Sequence, residues 1–343
     1  MRHLLNTLFV MSEDAYLSLD GENVLVNREK QVTGRFPLHN LSCIICFSYA
    51  GASPALMGAC AEREIGLAFC TPRGRFLARV CGEVSGNVLL RKTQYRTADN
   101  LDAACRVARC MIVGKLYNER WSIERTCRDH ALRVDVDMLK GASRRVKDLL
   151  PQVLDTTHLD TLRGLEGIGA TAYFGVFDDM LLNQKDAFFF HGRNRRPPLD
   201  RVNAMLSFSY SLLEHDCASA LESVGLDAYV GFLHRDRAGR ESLALDLMEE
   251  LRPCFADRFV LTLVNNGILH EDDFEVRESG AVMLKDTARK SFLKAWQERK
   301  QKAITHPYLG EKVPWGLVPY VQALLLARYL RGDLDEYPPF LWK

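Results

Sequence analysis

A change of hydrophobic pattern near residue 88 constrains the fold more than any other feature of this sequence. Before it, apolar residues come in short runs of strand length. Two of these runs, 15–19 and 23–26, flank Asp20-Gly21, where glycine supplies the positive φ that a tight hairpin needs. After it, apolar residues recur at helical spacing. We therefore predict an α+β fold, with a small N-terminal β domain at residues 1–88 and a larger all-α domain at residues 89–343.

Local signals place the individual elements. Ser53-Pro54 joins an N-cap residue to a proline at the first helical position, which predicts a short helix to about Glu64. The other strands predicted in the β domain are 43–47, 67–70 and 75–80, with a turn at 71–74. The helices predicted in the second domain are 101–116, 143–150, 159–177, 202–215, 218–224, 287–302 and 318–331.

Composition narrows the class of protein. No run of about 18 uncharged apolar residues occurs, and the N-terminus lacks the apolar region of a secretory signal, so we expect no membrane span and a cytoplasmic location. The ten cysteines lie mostly in apolar surroundings, which is typical of reduced core thiols. Cys43 and Cys46 have the spacing of a zinc knuckle, but isoleucines separate them and no second pair matches, which favours a buried strand.

Basic residues are clustered although the net charge is only +1. One cluster lies between Lys285 and Lys302, another between His191 and Arg196, and a third comprises Arg235, Arg237 and Arg240. Separate basic clusters on a nearly neutral chain suit a polyanion such as nucleic acid. The alternative for each cluster is a solvated helix face.

The segment 231–253 combines a histidine with an acidic helix. His234 precedes a bend at Gly239, and Ser242 is predicted to cap a helix that must end before Pro253. On that helix, helical spacing predicts that Asp246, Glu249 and Glu250 share one arc and face something cationic. Two carboxylates and a histidine that converge would suit a divalent cation.

A second unusual segment surrounds Glu166. Gly167 and Gly169 lie within a predicted helix, where each glycine costs about 1 kcal/mol relative to alanine unless another backbone approaches closely. A carboxylate in such a tightly packed segment is well placed to complete a site made elsewhere. Taken alone, a glutamate such as Glu166 is more often an ordinary helix residue or an ion-pair partner than part of a site.

These segments resemble a known family. The chain is similar to the universal CRISPR-associated integrase, closest to its subtype I-C branch, over nearly its whole length. The C-terminal motifs are Gly164-Leu-Glu-Gly167 and the segments 195–210, 225–234 and 239–253. The N-terminal motifs are the segments 17–22, 37–39, 53–56 and 74–79.

The resemblance implies a metal-dependent DNA endonuclease and integrase that inserts new spacers into a CRISPR array. It implies that Glu166, His234 and Glu249 are ligands of Mg²⁺ or Mn²⁺, with Asp246 as a further acidic catalytic residue beside them. Glu249 is longer than the aspartate that many relatives have there. The histidine favours manganese slightly, because imidazole is a poorer ligand for the harder ion.

The resemblance also implies partners. These are double-stranded DNA, a second copy of the chain bound through the β domains, and a small ferredoxin-like CRISPR-associated protein. The candidate DNA contacts are Arg235, Arg237, Arg240, Arg289, Lys290 and Lys294. Two other functions stay open: a metal-independent nucleic-acid-binding scaffold of the same complex, and a metallohydrolase of small phosphoesters.

Overall fold

A computed structural model describes residues 6–29, 31–72, 76–82 and 88–343. The predicted turn at 71–74 falls partly outside these residues, as does the stretch just before the predicted domain boundary. The chain forms two compact units. One comprises Met1–Ser85, Leu293–Lys302 and Trp315–Leu317, and the other comprises Gly86–Phe292, Ala303–Pro314 and Val318–Lys343. The first unit thus includes two segments that the limits 1–88 and 89–343 assign to the second domain.

The N-terminal residues form two sheets and one helix. Strands β1 (Asn6–Val10), β5 (Leu41–Cys46), β6 (Gly66–Cys70) and β7 (Phe76–Arg79) make a sheet in the order β1-β5-β6-β7, parallel except for β7. Strands β2 (Tyr16–Asp20), β3 (Asn23–Arg28) and β4 (Gln31–Pro37) make an antiparallel meander. Helix α1 spans Pro54–Glu62. The predicted β-rich N-terminal region is confirmed.

Local chemistry explains these elements. Gly21 takes the predicted positive φ, 56°, between the paired strands β2 and β3. Ser53 caps α1, because its side chain accepts a hydrogen bond from the Leu56 N–H at 3.2 Å. Cys43 and Cys46 are buried in β5, as predicted, and form no disulfide bond, and burial raises the pKa of Cys46 to about 11.

The rest of the chain is mostly helical, which confirms the α+β class. The helices are α2 (Val88–Asp99), α3 (Leu101–Asp129), α4 (Val136–Asp155), α5 (Leu159–Phe174), α6 (Arg201–Ser223), α7 (Ser242–Glu249), α8 (Arg258–Asn265), α9 (Asp286–Gln301) and α10 (Val318–Arg331). A π-helical turn at Arg252–Asp257 joins α7 to α8. Two hairpins interrupt the helices: β8 (Phe274–Val276) with β9 (Val282–Leu284), and β10 (Ala303–Thr305) with β11 (Lys312–Pro314). In the part of the chain that the structure describes, no helix is both long and apolar enough to cross a membrane.

Helix α3 is central to the second unit and positions the site. Asn100 caps it by accepting the Ala103 N–H at 3.0 Å. Two glycines let other elements approach closely: a Cβ on Gly114 would lie 2.8 Å from the Cβ of Glu250, and one on Gly169 of α5 would lie 2.2 Å from Leu116 Cδ2. The glycine at 169 is therefore explained by close packing of α5 on α3, although the nearest atom is a side-chain carbon of Leu116 and not the backbone that the sequence predicts.

Candidate active site

Three helices bring two candidate ligands and one lysine together. Lys115 of α3 forms ion pairs with Glu166 of α5 and with Glu249 of α7, whose Oε2 lies 2.8 Å from Lys115 Nζ. The side chains of Lys115 and Glu249 are buried, whereas Glu166 is 26% exposed. The two carboxylates thus meet at one cation, and the site is open to solvent on the side of Glu166.

Glu249 is held as a carboxylate. Its Oε1 accepts a hydrogen bond from Arg252 Nη1 at 2.7 Å. Burial alone would raise the pKa of Glu249, but Arg252, Lys115 and His234 outweigh burial and lower it to about 2. Burial also disfavours the charged form of Lys115, but the carboxylates of Glu249, Glu119 and Glu166 raise its pKa. The buried charges are therefore mutually compensating.

Glu119 lies one helical turn after Lys115 and is also buried. Burial raises its pKa to about 8, with further contributions from the nearby acids Glu166, Asp257 and Glu249 and an opposing one from Lys115. Its Oε2 has no hydrogen-bond partner among the described residues. A buried carboxyl oxygen without a partner is uncommon and marks this position for attention.

The loop that carries His234 is built around Asp246. The buried carboxylate of Asp246 accepts the backbone N–H groups of Phe232 (2.6 Å), Leu233 (2.9 Å) and His234 (3.0 Å). Its Oδ1 also lies 2.6 Å from His234 Nδ1. Because Asp246 can only accept, Nδ1 carries the proton, and Nε2 is left as the nitrogen available to a ligand.

Two further contacts fix the same loop. Arg163, on the helix of Glu166, donates to the Leu233 carbonyl from Nε at 2.9 Å. The buried Gln94 amide donates to the carbonyls of Asp227 (2.8 Å) and Val230 (2.9 Å). The position of His234 is therefore determined by helices α2, α5 and α7 together.

Asp246, Glu249 and Glu250 do not share one partner, which corrects the expectation from helical spacing that they face one cation together. Only Glu249 meets cations. Glu250 accepts hydrogen bonds from Tyr337 Oη, the Phe340 N–H (2.7 Å) and Gln322 Nε2 (3.0 Å), and burial raises its pKa to about 7. Glu250 thus connects α7 to the C-terminal segment. The acids diverge because Asp246 contacts His234, Glu249 contacts Lys115 of α3, and Glu250 contacts the C-terminal segment.

The predicted cap of α7 is also wrong. Ser242 is the first residue of the helix rather than its N-cap, which is Glu241 without a capping side-chain bond. The Ser242 hydroxyl donates instead to the Arg235 carbonyl at 3.3 Å. The helix ends before Pro253, as predicted, because the chain changes to the π-helical turn.

The candidate ligands fit a hard divalent ion in their chemistry. Glu166 and Glu249 come from separate helices and direct oxygens to one cation, and the contact of Glu249 Oε2 is with Lys115 Nζ at 2.8 Å. His234 is near enough for its charge to act on Glu249. Among the described residues, no three His, Cys, Asp or Glu side chains are grouped closely enough to hold a metal ion. The full ligand set of Glu166, His234 and Glu249 therefore stays a prediction.

The candidate DNA contacts differ in exposure. Lys290 and Lys294 are exposed on α9, but Arg289 is buried and pairs with Asp286. Of the trio beside His234, Arg235 is exposed and pairs with Asp160 at 3.1 Å. Its neighbour Arg237 is exposed, while Arg240 folds back onto the Arg235 carbonyl and Ser242 Oγ. None of these contacts involves Asp246 or Glu250.

Sequence reasoning missed four charged residues inside the site: Lys115, Glu119, Arg163 and Arg252. Lys115 and Glu119 lie in a segment of α3 whose other residues are mostly apolar, so the available signal was a pair of charges at buried helical positions four residues apart. Arg252 was seen only as the residue before a proline. Arg163 was noticed only as a neighbour of the glycine-rich motif.

Comparisons with known sequences point to one family. The family model described as "CRISPR associated protein Cas1" matches residues 8–298. A CRISPR-associated endonuclease Cas1 of Chlorobaculum tepidum is 49% identical over 343 residues, covering all of both chains. Another from Rhodospirillum rubrum is 49% identical over 347 residues, again covering all of both chains.

Solved structures show the same fold. A casposase bound to an integration product superposes with a TM-score of 0.81 at 24% identity, covering 99% of this chain and 93% of that one. A Cas6-RT-Cas1–Cas2 complex gives a TM-score of 0.81 at 24% identity, covering 100% of this chain and 36% of that one. A Cas1 protein from Thermotoga maritima gives a TM-score of 0.79 at 22% identity, covering 95% of this chain and 97% of that one.

Proposed function

The chain belongs to the Cas1 family of CRISPR-associated proteins, and from that membership we propose that it is a metal-dependent DNA endonuclease and integrase of spacer acquisition. The observation that carries the proposal is the convergence of Glu166 and Glu249 on one cation. The relatives that are 49% identical over their full length carry the name endonuclease. The subtype I-C branch stays a prediction, and we propose the cytoplasm as the location because the substrate is cellular DNA.

The proposed reaction is a displacement at phosphorus. The 3′ hydroxyl of incoming DNA loses its proton and forms a new bond to a phosphorus atom of the CRISPR repeat, while the bond from that phosphorus to the neighbouring 3′ oxygen breaks. In DNA cleavage, water is the nucleophile instead. Both reactions build negative charge on the phosphate oxygens, which a divalent ion would stabilise.

Each residue of the site has a proposed role. Glu166 and Glu249 would hold Mg²⁺ or Mn²⁺, and His234 would add its free Nε2. Asp246 holds the histidine ring in the required orientation through Nδ1. Arg252 holds Glu249 in place and keeps it ionised.

Partners are proposed on the same basis. We expect double-stranded DNA as substrate, a homodimer formed through the β domains, and a small ferredoxin-like CRISPR-associated partner protein. One structural relative is bound to an integration product, and another is part of a Cas1–Cas2 complex. Both assemblies belong to those proteins, and they support the partners proposed for this chain.

A metal-independent scaffold of the same complex is the second candidate. The observation in its favour is that Lys115 forms ion pairs with both carboxylates. In this function the acidic site would be structural, and DNA would be bound by the basic clusters alone.

The experiment compares strand transfer by the wild type with that of Glu166→Gln, His234→Ala and Glu249→Gln. Joining and disintegration of branched DNA are measured in Mn²⁺, in Mg²⁺ and with a chelator, and DNA binding is measured separately by fluorescence anisotropy. Each variant should lose at least about 100-fold in strand transfer while still binding DNA, because transition-state stabilisation worth several kcal/mol is lost. Glu298→Gln makes the same change at an exposed position and serves as the control.

The outcomes separate the functions. Normal strand transfer by the Glu166 and Glu249 variants would refute the assignment of the site. Wild-type DNA products that are the same with metal and with chelator would favour the scaffold. Turnover of a nucleotide monoester without any action on DNA would indicate a hydrolase of small phosphoesters.

A further inference from the structure

Lys115 occupies the position that a shared metal ion would take. Its ammonium contacts the carboxylates of both Glu166 and Glu249, which are the candidate metal ligands. Two cations only a few ångströms apart in a buried site repel each other strongly. A divalent ion that binds both carboxylates must therefore displace the ammonium from at least one of them.

The structure offers the displaced ammonium another acidic side chain, that of Glu119. Glu119 is four residues after Lys115 on α3, a spacing at which side chains of a helix are neighbours. Glu119 is buried, interacts electrostatically with Lys115, and has an Oε2 without a hydrogen-bond partner among the described residues. A buried ammonium that lost all its partners would be strongly destabilising, so this neighbour matters.

We propose that Lys115 is a built-in cation that the divalent ion replaces. In the metal-free protein it holds Glu166 and Glu249 together, and when the metal ion binds, the ammonium moves to Glu119. This inference rests on the proposed function, because it assumes that Glu166 and Glu249 bind the metal ion. It adds that metal binding is an exchange of cations, in which Lys115 competes for the ligands.

The exchange explains two features of the site. A buried carboxylate and a partly exposed one brought together without a counter-ion would repel each other and open the contacts of α3 with α5 and α7. The lysine prevents this, so the ligands are held in place before the metal ion arrives. It also explains why a carboxyl oxygen of Glu119 is kept buried without a partner.

The test measures Mn²⁺ binding rather than activity. Free Mn²⁺ is followed by electron paramagnetic resonance while metal-free wild type, Lys115→Met, Glu119→Gln and the double variant are titrated. Lys115→Met removes the competing cation and should tighten Mn²⁺ binding at least about fivefold, at the lower end of typical coupling between sites. Glu119→Gln should weaken binding, because the displaced ammonium loses its second carboxylate.

The double variant decides whether the two residues act together. If Glu119 acts only by receiving Lys115, Glu119→Gln will have no effect on Mn²⁺ affinity in the Lys115→Met background. Equal effects in both backgrounds would overturn the exchange, and so would unchanged or weaker Mn²⁺ binding by Lys115→Met. Lys147→Met, an exposed change of the same chemistry on α4, is the control and should leave Mn²⁺ affinity unchanged.

Two further measurements keep the test decisive. If Lys115→Met is unfolded without metal, Lys115→Gln is used, and the rise of the unfolding temperature with Mn²⁺ concentration gives the same comparison of affinities. If the wild type binds Mn²⁺ and Glu166→Gln or Glu249→Gln abolishes that binding, the proposed metal site is supported independently of Lys115. An absence of Mn²⁺ binding by the wild type and by Lys115→Met would overturn both proposals, whereas equal binding by the two would overturn only the exchange.

Discussion

The buried carboxylate of Asp246 fixes the loop that carries His234. It accepts three backbone N–H groups and faces the ring of His234, and a Cβ on the adjacent Gly231 would lie only 2.8 Å from its Oδ2. The loop can therefore wrap around the carboxylate only because residue 231 has no side chain. Asp246 acts on the candidate site through the orientation of His234.

Asp246→Asn should therefore impair the site without removing a ligand. The amide nitrogen of asparagine cannot accept the N–H groups that Asp246 accepts, so the loop and the ring of His234 lose their fixed orientation. We expect a loss of about 10- to 100-fold in metal affinity or strand transfer, as is usual for groups that orient a metal-binding histidine. Nitrogen NMR of the His234 ring should show a changed tautomer balance.

The exposed Asp236 in the same loop provides the matched control. Asp236→Asn makes the same chemical change without removing the carboxylate that the loop wraps around. If it reduced strand transfer as much as Asp246→Asn, the effect would reflect the charge of the loop rather than the orientation of His234.

Asp257 should give stability a defined pH dependence. Burial raises its pKa to about 6 from 3.8, against the opposing hydrogen bond from Tyr210 Oη at 2.6 Å. Because the folded state binds this proton more tightly, the contribution to stability is fully present below about pH 4 and is lost as the pH rises to about 6. Within that window the slope is about 1.4 kcal/mol per pH unit.

Asp257→Asn tests this contribution. Urea unfolding at several values from pH 4.5 to pH 7.5 gives the difference in free energy of unfolding between wild type and variant. The wild type should gain relative to the variant as the pH falls from 6.5 to 4.5, and the difference should be constant above 6.5. A difference that does not change with pH would mean that Asp257 does not take up a proton in this range.

Some residues of the candidate site could be predicted from sequence and others could not. His234, Glu166 and Glu249 were identified because their local patterns are unusual and match a family. The partners of the three α7 acids depend on which elements surround the helix, and helical periodicity gives only their relative directions. Lys115 was missed because charge in a buried helix position has no meaning until its partners, 51 and 134 residues away, are known.

At the scale of elements, α5 depends on two glycines in different ways. Gly169 is buried against α3, where a Cβ would overlap the fully buried Leu116. Gly167 has no atom within 4 Å of a Cβ. Only Gly169 is required for packing, although both glycines lie in the same helical pattern of the sequence.

Alanine at these two positions should have opposite effects. Gly169→Ala should lower the free energy of unfolding by about 1–3 kcal/mol through overpacking, and should reduce strand transfer because α5 carries Glu166. Gly167→Ala should raise it by up to about 1 kcal/mol, since alanine favours the helix. Chemical denaturation of both variants checks this, and equal effects would contradict the packing of α5 on α3.

The elements themselves were predicted best where the pattern was long or capped. The β2–β3 hairpin, α1 and α10 agree with the structure because a glycine turn, a Ser-Pro start and an apolar repeat are local signals. The two predicted helices at 202–215 and 218–224 are one helix, α6, because no glycine or proline separates them. Helix α2 was missed because its sequence is too polar to show a clear apolar face.

For the binding of a polyanion, the distribution of charge over the whole molecule matters more than the net charge. The exposed lysines Lys290 and Lys294 follow one face of α9 at a spacing of four residues, whereas Arg289 on the same helix is buried. Of the basic residues proposed on this helix, only the lysines are therefore presented to solvent. A nearly neutral protein can still bind a polyanion through such a local cluster.

The double change Lys290→Glu and Lys294→Glu should weaken binding of double-stranded DNA. The slope of log affinity against log salt concentration should fall by about 0.9 for each phosphate that the variant no longer neutralises. Anisotropy titrations at several salt concentrations give this slope. Lys147→Glu on α4 is the control. An unchanged slope for the α9 variant would show that Lys290 and Lys294 do not contact DNA.

The contact between Glu250 and the C-terminal segment has a consequence for the order of synthesis. Glu250 is buried next to Glu249, and its donors include Tyr337 and the Phe340 N–H. A ribosome makes these donors almost 90 residues after the helix that needs them. A chain interrupted before residue 337 would leave Glu250 buried without them, so the acidic segment gains its full set of hydrogen bonds only after residues 337–340 have been made.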